Sequence, residues 1–380
     1  MNKDAFNVYL ITLCFFILTW AIVPIVPRYV MSLGGDPTSI GVVMSAAPTA
    51  TIATRVLFSI MSDLRSRVFM MRLGTLLLGI SYLILYLSKD INTLILGRLV
   101  QGLSLASFIP PSIAYVVDIA RRGVVGRALG TRALMASLGY TLGPFLGGLI
   151  SELLGYKSLF IITSISAFIM VPMIKLNDSL KCDTTFKDIV HEMAKVLRHR
   201  SFILLFISTS FQTIILASVI PFLSSYLKIT GYSDYEAGIV SSAYGISGLL
   251  SRVLMNLCTD RNVMSLALLA LGIDAVGLAM LSYFPLPPLA FIPVLLIGFG
   301  DGIFVPSTQA LVFINTKTEL RSVLSGMYAS SWDLGMLVGP LIAGYLITMT
   351  GDYLITFRYL MVFTLASSFF LLMERKFIKQ

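Results

Sequence analysis

Three aspartates stand inside long apolar segments, where a carboxylate has few ordinary uses: Asp274, Asp301 and Asp333. At the rise of an α-helix each lies about 15 to 18 Å from the start of its segment, near the middle of a bilayer if the segment spans one. An Asp side chain is too short to reach the headgroups from that depth. Holding it there as an ion costs about 2.5 to 3.5 kcal/mol on the milder insertion scale, so it is expected to face a wet cavity, a partner or a ligand. Burial disfavours the charged form of any carboxylate, which makes such acids candidates for carrying protons or binding substrate. Neutral, hydrogen-bonded acids are the alternative. Arg55, Arg132 and Arg252 stand nearer segment ends and are expected to reach headgroups or connecting loops.

Other chemistries find little support. The two histidines, His191 and His199, share one polar stretch, and Cys14, Cys182 and Cys258 are scattered, so neither a metal site, a redox pair nor a disulfide is expected. No cofactor is called for. No Gly-x4-Gly-Lys-Ser/Thr loop is present to drive transport with ATP. Nor do nucleophiles and bases cluster as an enzyme would require.

The elements that must position the acids follow from composition. Hydrophobic residues make up 57% of the 380 and charged residues 12%, with a mean hydropathy of +0.89, which excludes an ordinary soluble domain. About 20 apolar residues are needed to cross the hydrocarbon core, and twelve such spans can be placed. The first six are Ala5–Val30, Thr38–Met61, Phe69–Ser88, Thr93–Val117, Ala128–Ser151 and Ser158–Leu176. The second six are Phe202–Leu227, Glu236–Cys258, Met264–Phe284, Leu289–Ile314, Val323–Met349 and Leu354–Met373. The expectation is an all-α membrane protein: a bundle over 1–176, a cytoplasmic linker over 177–200 and a second bundle over 201–380.

A net charge of +9 suggests a nucleic-acid partner only where the basic residues cluster. Here they sort by side instead. Most of them, Arg65, Arg67, Arg121 and Arg122 among them, fall on the side of the two termini, and Arg28, Lys89, Lys157, Lys228 and Arg358 fall opposite. The positive-inside rule then puts both termini in the cytoplasm. The partners expected are the lipid bilayer and a small molecule, with the chain acting as a monomer.

The chain is internally duplicated. Gly130, Gly139, Gly143, Pro144, Gly147 and Gly148 of the fifth span return 196 residues later, as Gly326, Gly335, Gly339, Pro340, Ala343 and Gly344 of the eleventh. Pro24, Tyr29, Gly34, Gly41, Ser45, Arg55 and Asp63 match Pro221, Tyr226, Gly231, Gly238, Ser242, Arg252 and Asp260 at an offset of 197. Parallel six-helix repeats related by an axis along the membrane normal are an architecture of secondary transporters. Small residues along one helix face also let backbones approach closely in lipid.

The fifth-span string, Gly130-x8-Gly139-x3-Gly143-Pro144-x2-Gly147-Gly148, resembles the antiporter motif of the efflux branch of the major facilitator superfamily, and the resemblance covers the whole chain. Ser59 to Arg67 looks like that family's gating loop, normally Gly-x3-Asp-x2-Gly-Arg, with serine at both glycine positions and Asp63 and Arg67 retained. The resemblance implies that Asp63 faces the start of the eleventh span, that Arg67 pairs with Asp118, and that the inner side is thereby held shut. In the fourth span Arg98, Gln101 and Gly102 match a motif associated in the family with proton transfer or substrate contact. Arg98 lies about 8 Å from its helix end and has snorkelling to the interface as the alternative. Pro24 and Pro27 look like the branch's Pro-x2-Pro motif in a cavity-lining helix.

Because the tenth span lines the central cavity in this family, Asp301 is the foremost candidate for coupling, Asp333 beside Trp332 the second, and Asp274, on a peripheral span, a structural acid satisfied by a neighbour. Trp20, Tyr115, Tyr226, Tyr244 and Trp332 are the aromatic residues expected on the cavity wall. The resemblance implies twelve helices in two pseudo-symmetric bundles working by alternating access, with efflux in exchange for protons. Uptake or facilitated diffusion of a sugar or other metabolite is the alternative. The first span carries no embedded acid, where many drug exporters of the family place one.

Overall fold

Proline breaks the first span near its far end. A computed structural model describes residues 3–120, 125–177, 200–255, 263–314 and 321–378, and in it α1 (Lys3–Ala21) stops short of α2 (Ile25–Ser32). Pro24 and Pro27 have no N–H to donate, and the backbone tightens between the two helices, with Val23 N bonded to Trp20 O at 3.3 Å and Ile25 N to Ile22 O at 3.0 Å.

The remaining helices of the first half are α3 (Pro37–Leu64), α4 (Arg67–Leu87), α5 (Ile91–Ile119), α6 (Val125–Leu154) and α7 (Tyr156–Met173). The second half holds α8 (Arg200–Ile229), α9 (Asp234–Met255), α10 (Val263–Tyr283), α11 (Phe291–Ile314), α12 (Arg321–Thr350) and α13 (Tyr353–Ile378). With α1 and α2 counted together, these are 12 helices long and apolar enough to span a membrane. The stretch 178–199, which holds His191, His199 and Cys182, lies outside the described residues, as do Arg121, Arg122, Cys258 and the side chain of Asp63.

Helix ends are set by local chemistry. Asp36 caps α3 by accepting from Ser39 N at 2.8 Å, with Pro37 at the first helical position. The Ser39 hydroxyl and amide together hold the Asp36 carboxyl below the usual carboxylate range. Ser66 and Asp90 cap α4 and α5 in the same way. At the face opposite the chain termini, the turns at Gly34, Gly155, Gly231 and Gly351 all need positive φ, between 69° and 88°, a region that costs glycine nothing. These four are two duplicated pairs.

Packing repeats with the sequence. Within the halves α3 lies on α5 as α9 lies on α11, α4 on α5 as α10 on α11, and α1 on α6 as α8 on α12. Between the halves, α3 packs on α12 and α6 on α9, which are equivalent contacts under the duplication, and α2 meets α8.

The motif glycines explain the closest of these approaches. A Cβ at Gly139, Gly143 or Gly147 would run into α1, at Gly147 into the Ala21 carbonyl, and one at Gly335 or Gly339 would run into α8. Gly148 and Gly344 serve the other direction: they abut Gly238 and Gly41 across the interface. A Cβ at Gly130 would meet nothing within 4 Å among the described residues, so close packing there does not explain its place in the motif.

Candidate functional site

At the face opposite the termini the two halves are joined by an ion pair and hydrogen bonds. There Arg28 of α2 is 1% exposed. It donates through Nε to the Ser224 carbonyl and hydroxyl, both at 3.1 Å, and through Nη1 to Asp234 at 2.7 Å. Lys228 Nζ donates in turn to the Arg28 carbonyl at 2.7 Å and to Tyr156 Oη at 3.1 Å. Glu152 accepts from Asp234 N at 2.9 Å, and the hydroxyls of Thr38 and Thr348 meet at 2.8 Å. Arg28 and Lys228, expected among the basic residues of the far-side surface, are thus drawn into a latch. Charge-counting along the sequence treats such residues alike and has no means of telling a loop cation from one paired through the opposite half.

Deeper in, the duplication produces a second set of bonds. Arg55 of α3 donates to Asp333 of α12 at 2.7 Å, and the pair also closes to 2.5 Å on the other carboxylate oxygen. At the equivalent place Arg252 of α9 donates to Ser137 of α6 at 2.7 Å. Its second guanidinium nitrogen stands 3.4 Å from Asp301 of α11. The expectation that Arg55, Arg132 and Arg252 reach towards the surface is therefore corrected. The first two are 8% and 7% exposed, because carboxylate and hydroxyl partners inside the bundle offer what the headgroups would. Arg132 donates to Ser112 at 2.7 Å, while the residues at the duplicated positions, Tyr328 and Thr308, share a hydroxyl contact of 2.5 Å.

Arg98 also stays inside. It donates to Gln101 and lies 3.4 Å and 3.3 Å from the carbonyls of Val43 and Met44. Gln101 continues the network to Tyr82, whose hydroxyl reaches the Leu18 carbonyl at 2.8 Å. Gly102 is needed beside them, since a Cβ there would strike the Ala47 carbonyl. Near the terminal face Arg67 pairs with Asp118.

A narrow cleft lies between the halves beneath the latch. Trp20, Tyr140, Tyr244 and Trp332 wall it, and Asp301 and Arg252 are its charged lining. Trp20 and Tyr140 meet edge to face at 4.6 Å. Asp301 is approached by the Tyr244 hydroxyl, its contact with Arg252 is long, and its Oδ1 makes no well-formed hydrogen bond. The acid is thus only half satisfied beside an aromatic wall. Such a wall binds cations through its ring faces and lipophilic surfaces through area.

Two aromatics expected on this wall are elsewhere. Tyr115 donates to the Asn177 carbonyl at 3.2 Å near the terminal face, and Tyr226 packs 5.7 Å from Tyr353 near the opposite one. Helix position decides this: both stand close to the ends of their spans. Tyr140 takes a place on the wall instead, three residues before Gly143 in the glycine motif. The motif drew attention to its small residues and hid the large one among them. Asp274 on α10 is not among the residues that line the cleft and meets Gln212 of α8.

A family model described as Major Facilitator Superfamily matches residues 8–340. The multidrug resistance protein MdtG of Escherichia coli is 26% identical over 336 residues, covering 84% of this chain and 82% of that protein. Among solved structures, a point mutant of the nucleoside transporter NupG superposes with a TM-score of 0.82 at 16% identity, covering 98% of this chain and all of that one. A bacterial homologue of the human lysosomal transporter Spinster, inward-facing and unoccupied, gives 0.80 at 15% identity over 100% of this chain and 99% of its own. The human organic anion transporter MFSD10 gives 0.72 at 18% over 98% and 100%.

Proposed function

Since the chain belongs to the Major Facilitator Superfamily and is a multi-pass secondary transporter of a small molecule, we propose that it exports lipophilic cationic compounds in exchange for protons. The observation that carries this reading is Asp301, a buried carboxylate held by Arg252 only at long range and set against an aromatic wall in the cleft between the halves. A single acid in that position accepts either a proton or a cationic substrate. Mutual exclusion at one carboxylate is what converts an inward proton gradient into outward movement of cargo. The relatedness to a multidrug resistance protein supports the direction.

With both termini in the cytoplasm, the latch of Arg28, Asp234 and Lys228 closes the outer face. Transport then requires the latch to open while the terminal side closes. Asp63, at the end of α3, is the residue proposed to fasten that side, positioned by the Arg67–Asp118 pair within the first half. Arg98 and Gln101 brace α5 against α3, and in this reading they transmit the change of state within the first half. The halves move as bodies 1–176 and 201–380 about the linker 177–200. One chain supplies both sides of the cleft, which supports action as a monomer in the cytoplasmic membrane.

The test is export driven by an imposed pH gradient. Purified protein in liposomes is offered a panel of lipophilic cationic dyes, and Asp301→Asn is compared with the unaltered chain. Driven flux is expected to fall to that of empty vesicles in the variant, and binding of the cationic dyes to the purified protein is expected to weaken. Undiminished driven flux in Asp301→Asn would overturn the assignment, and gradient-driven accumulation in the opposite direction would favour uptake.

A further inference from the structure

Two of the three embedded acids have an arginine, and the third has an amide. Asp333 is held by Arg55 and Asp301 is approached by Arg252, but Asp274, 0% exposed on α10, accepts from Gln212 Nε2 through Oδ2. No cation pairs with it among the described residues. The remaining oxygens of this pair, Asp274 Oδ1 and Gln212 Oε1, are both buried and both without a donor. An unpaired ionised carboxylate in such a place is among the costliest arrangements a protein can hold.

Two acceptors lacking a donor, on groups that already touch, are satisfied together by one added proton. A carboxylic acid carries one O–H donor and keeps acceptor capacity, and the glutamine amide offers one carbonyl acceptor beside its N–H donors. Set face to face, acid and amide form a ring of two hydrogen bonds: N–H to the acid carbonyl, and acid O–H to the amide carbonyl. We propose that Asp274 and Gln212 form a proton-binding site outside the cleft, with the proton resident on Asp274 and shared with the Gln212 carbonyl. The group is then neutral, as apolar surroundings favour for a carboxyl used as a hydrogen-bond donor.

Its surroundings agree. Gly300 of α11 presses against Asp274 Oδ1, leaving no room for a side chain there. The titratable groups that face Asp274 are Asp301 from α11 and Tyr244 from α9, and neither supplies positive charge. On α13, Arg358 bonds to Ser282 and Glu374 to Ser201, each near a span end. The first half shows that packing alone does not demand a polar pair here. The positions duplicated from Gln212 and Asp274 are Phe15 and Leu78, and both are fully buried in the core of that half.

Infrared spectroscopy of the full chain in lipid reads the proton directly and does not depend on the export reading. At neutral pH the unaltered protein should show the carbonyl stretch of a protonated carboxyl, and Asp274→Asn, whose amide can keep both hydrogen bonds of the ring and so preserve the fold, should lose that component. Gln212→Leu, which removes the acceptor carbonyl, should move the component to higher frequency. Spectra of the unaltered chain and Asp274→Asn that superpose throughout the carboxylic carbonyl region would overturn the proposal. So would loss, in Asp274→Asn, of ionised carboxylate absorption instead.

Discussion

Asp333 and Ser137 occupy the same place in the two duplicated halves, and each accepts a hydrogen bond at 2.7 Å from an arginine of the other half. The arginines, Arg55 and Arg252, are themselves a duplicated pair. One clasp carries a full ion pair, and the other carries a hydroxyl, its arginine leaning at longer range on Asp301. The asymmetry leaves the Asp301 carboxylate under-satisfied at the cleft while Asp333 is engaged.

The charged clasp should behave as a coupled unit. Breaking a buried ion pair from one side strands the other charge, at a cost of about 3 to 5 kcal/mol. Arg55→Gln and Asp333→Asn are each expected to lower the thermal unfolding midpoint of the purified protein. The double variant should lose less than the two single losses added. Strict additivity would mean that the two side chains do not interact.

Restoring the missing acid should tighten the neutral clasp. Ser137→Asp places a carboxylate against Arg252 and draws the guanidinium away from Asp301. The expected outcome is a protein with a higher unfolding midpoint and slower turnover in liposomes. Turnover equal to that of the unaltered chain would show that this contact need not break during the cycle.

The far-side latch can be held shut by covalent means. The hydroxyls of Thr38 and Thr348 are 2.8 Å apart across the interface. In a chain freed of Cys14, Cys182 and Cys258, Thr38→Cys with Thr348→Cys is expected to form a disulfide on mild oxidation and to stop transport, and reduction should restore it. Full transport by the oxidised, cross-linked protein would rule out opening at this face.

Arg28 and Asp234 should set how often that face opens. With the pair removed in Arg28→Ala, a single cysteine at Thr38 should react faster with a membrane-impermeant thiol reagent applied from the far side. An unchanged rate would place the seal elsewhere.

The glycines of one motif should differ sharply. Gly147→Ala puts a methyl group against the Ala21 carbonyl and is expected to reduce folded protein recovered from membranes. Gly130→Ala meets nothing, and replacing a mid-helix glycine by alanine is worth about 0.5 to 1 kcal/mol in the favourable direction. Comparable losses from both would contradict the packing account of the motif.

Much of this molecule was legible as sequence because membranes impose simple rules. An apolar run of about 20 residues has one way to satisfy its backbone in lipid, as a helix, so the twelve spans and their turns followed from hydropathy and glycine. The duplication was equally plain, and with it the equivalence of α3 with α9 and of α6 with α12. It had already paired Arg55 with Arg252, although nothing in the one-dimensional pattern named their partners.

What tertiary structure decided was pairing. Asp333 and Arg55 are 278 residues apart, and Arg28 and Asp234 are 206 apart. Each residue alone has two physical outcomes, reaching for the headgroups or meeting a partner inside. The choice depends on which helix faces arrive at the interface, and that is fixed by close packing over glycines such as Gly147 and Gly238, not by the charged residues themselves. For the same reason Tyr140 took a place on the cleft wall, Tyr115 and Tyr226 did not, and Asp274 found Gln212. Composition and periodicity determine that an element exists and which medium it occupies, whereas the partner of a buried charge is settled only when two distant surfaces are brought into contact.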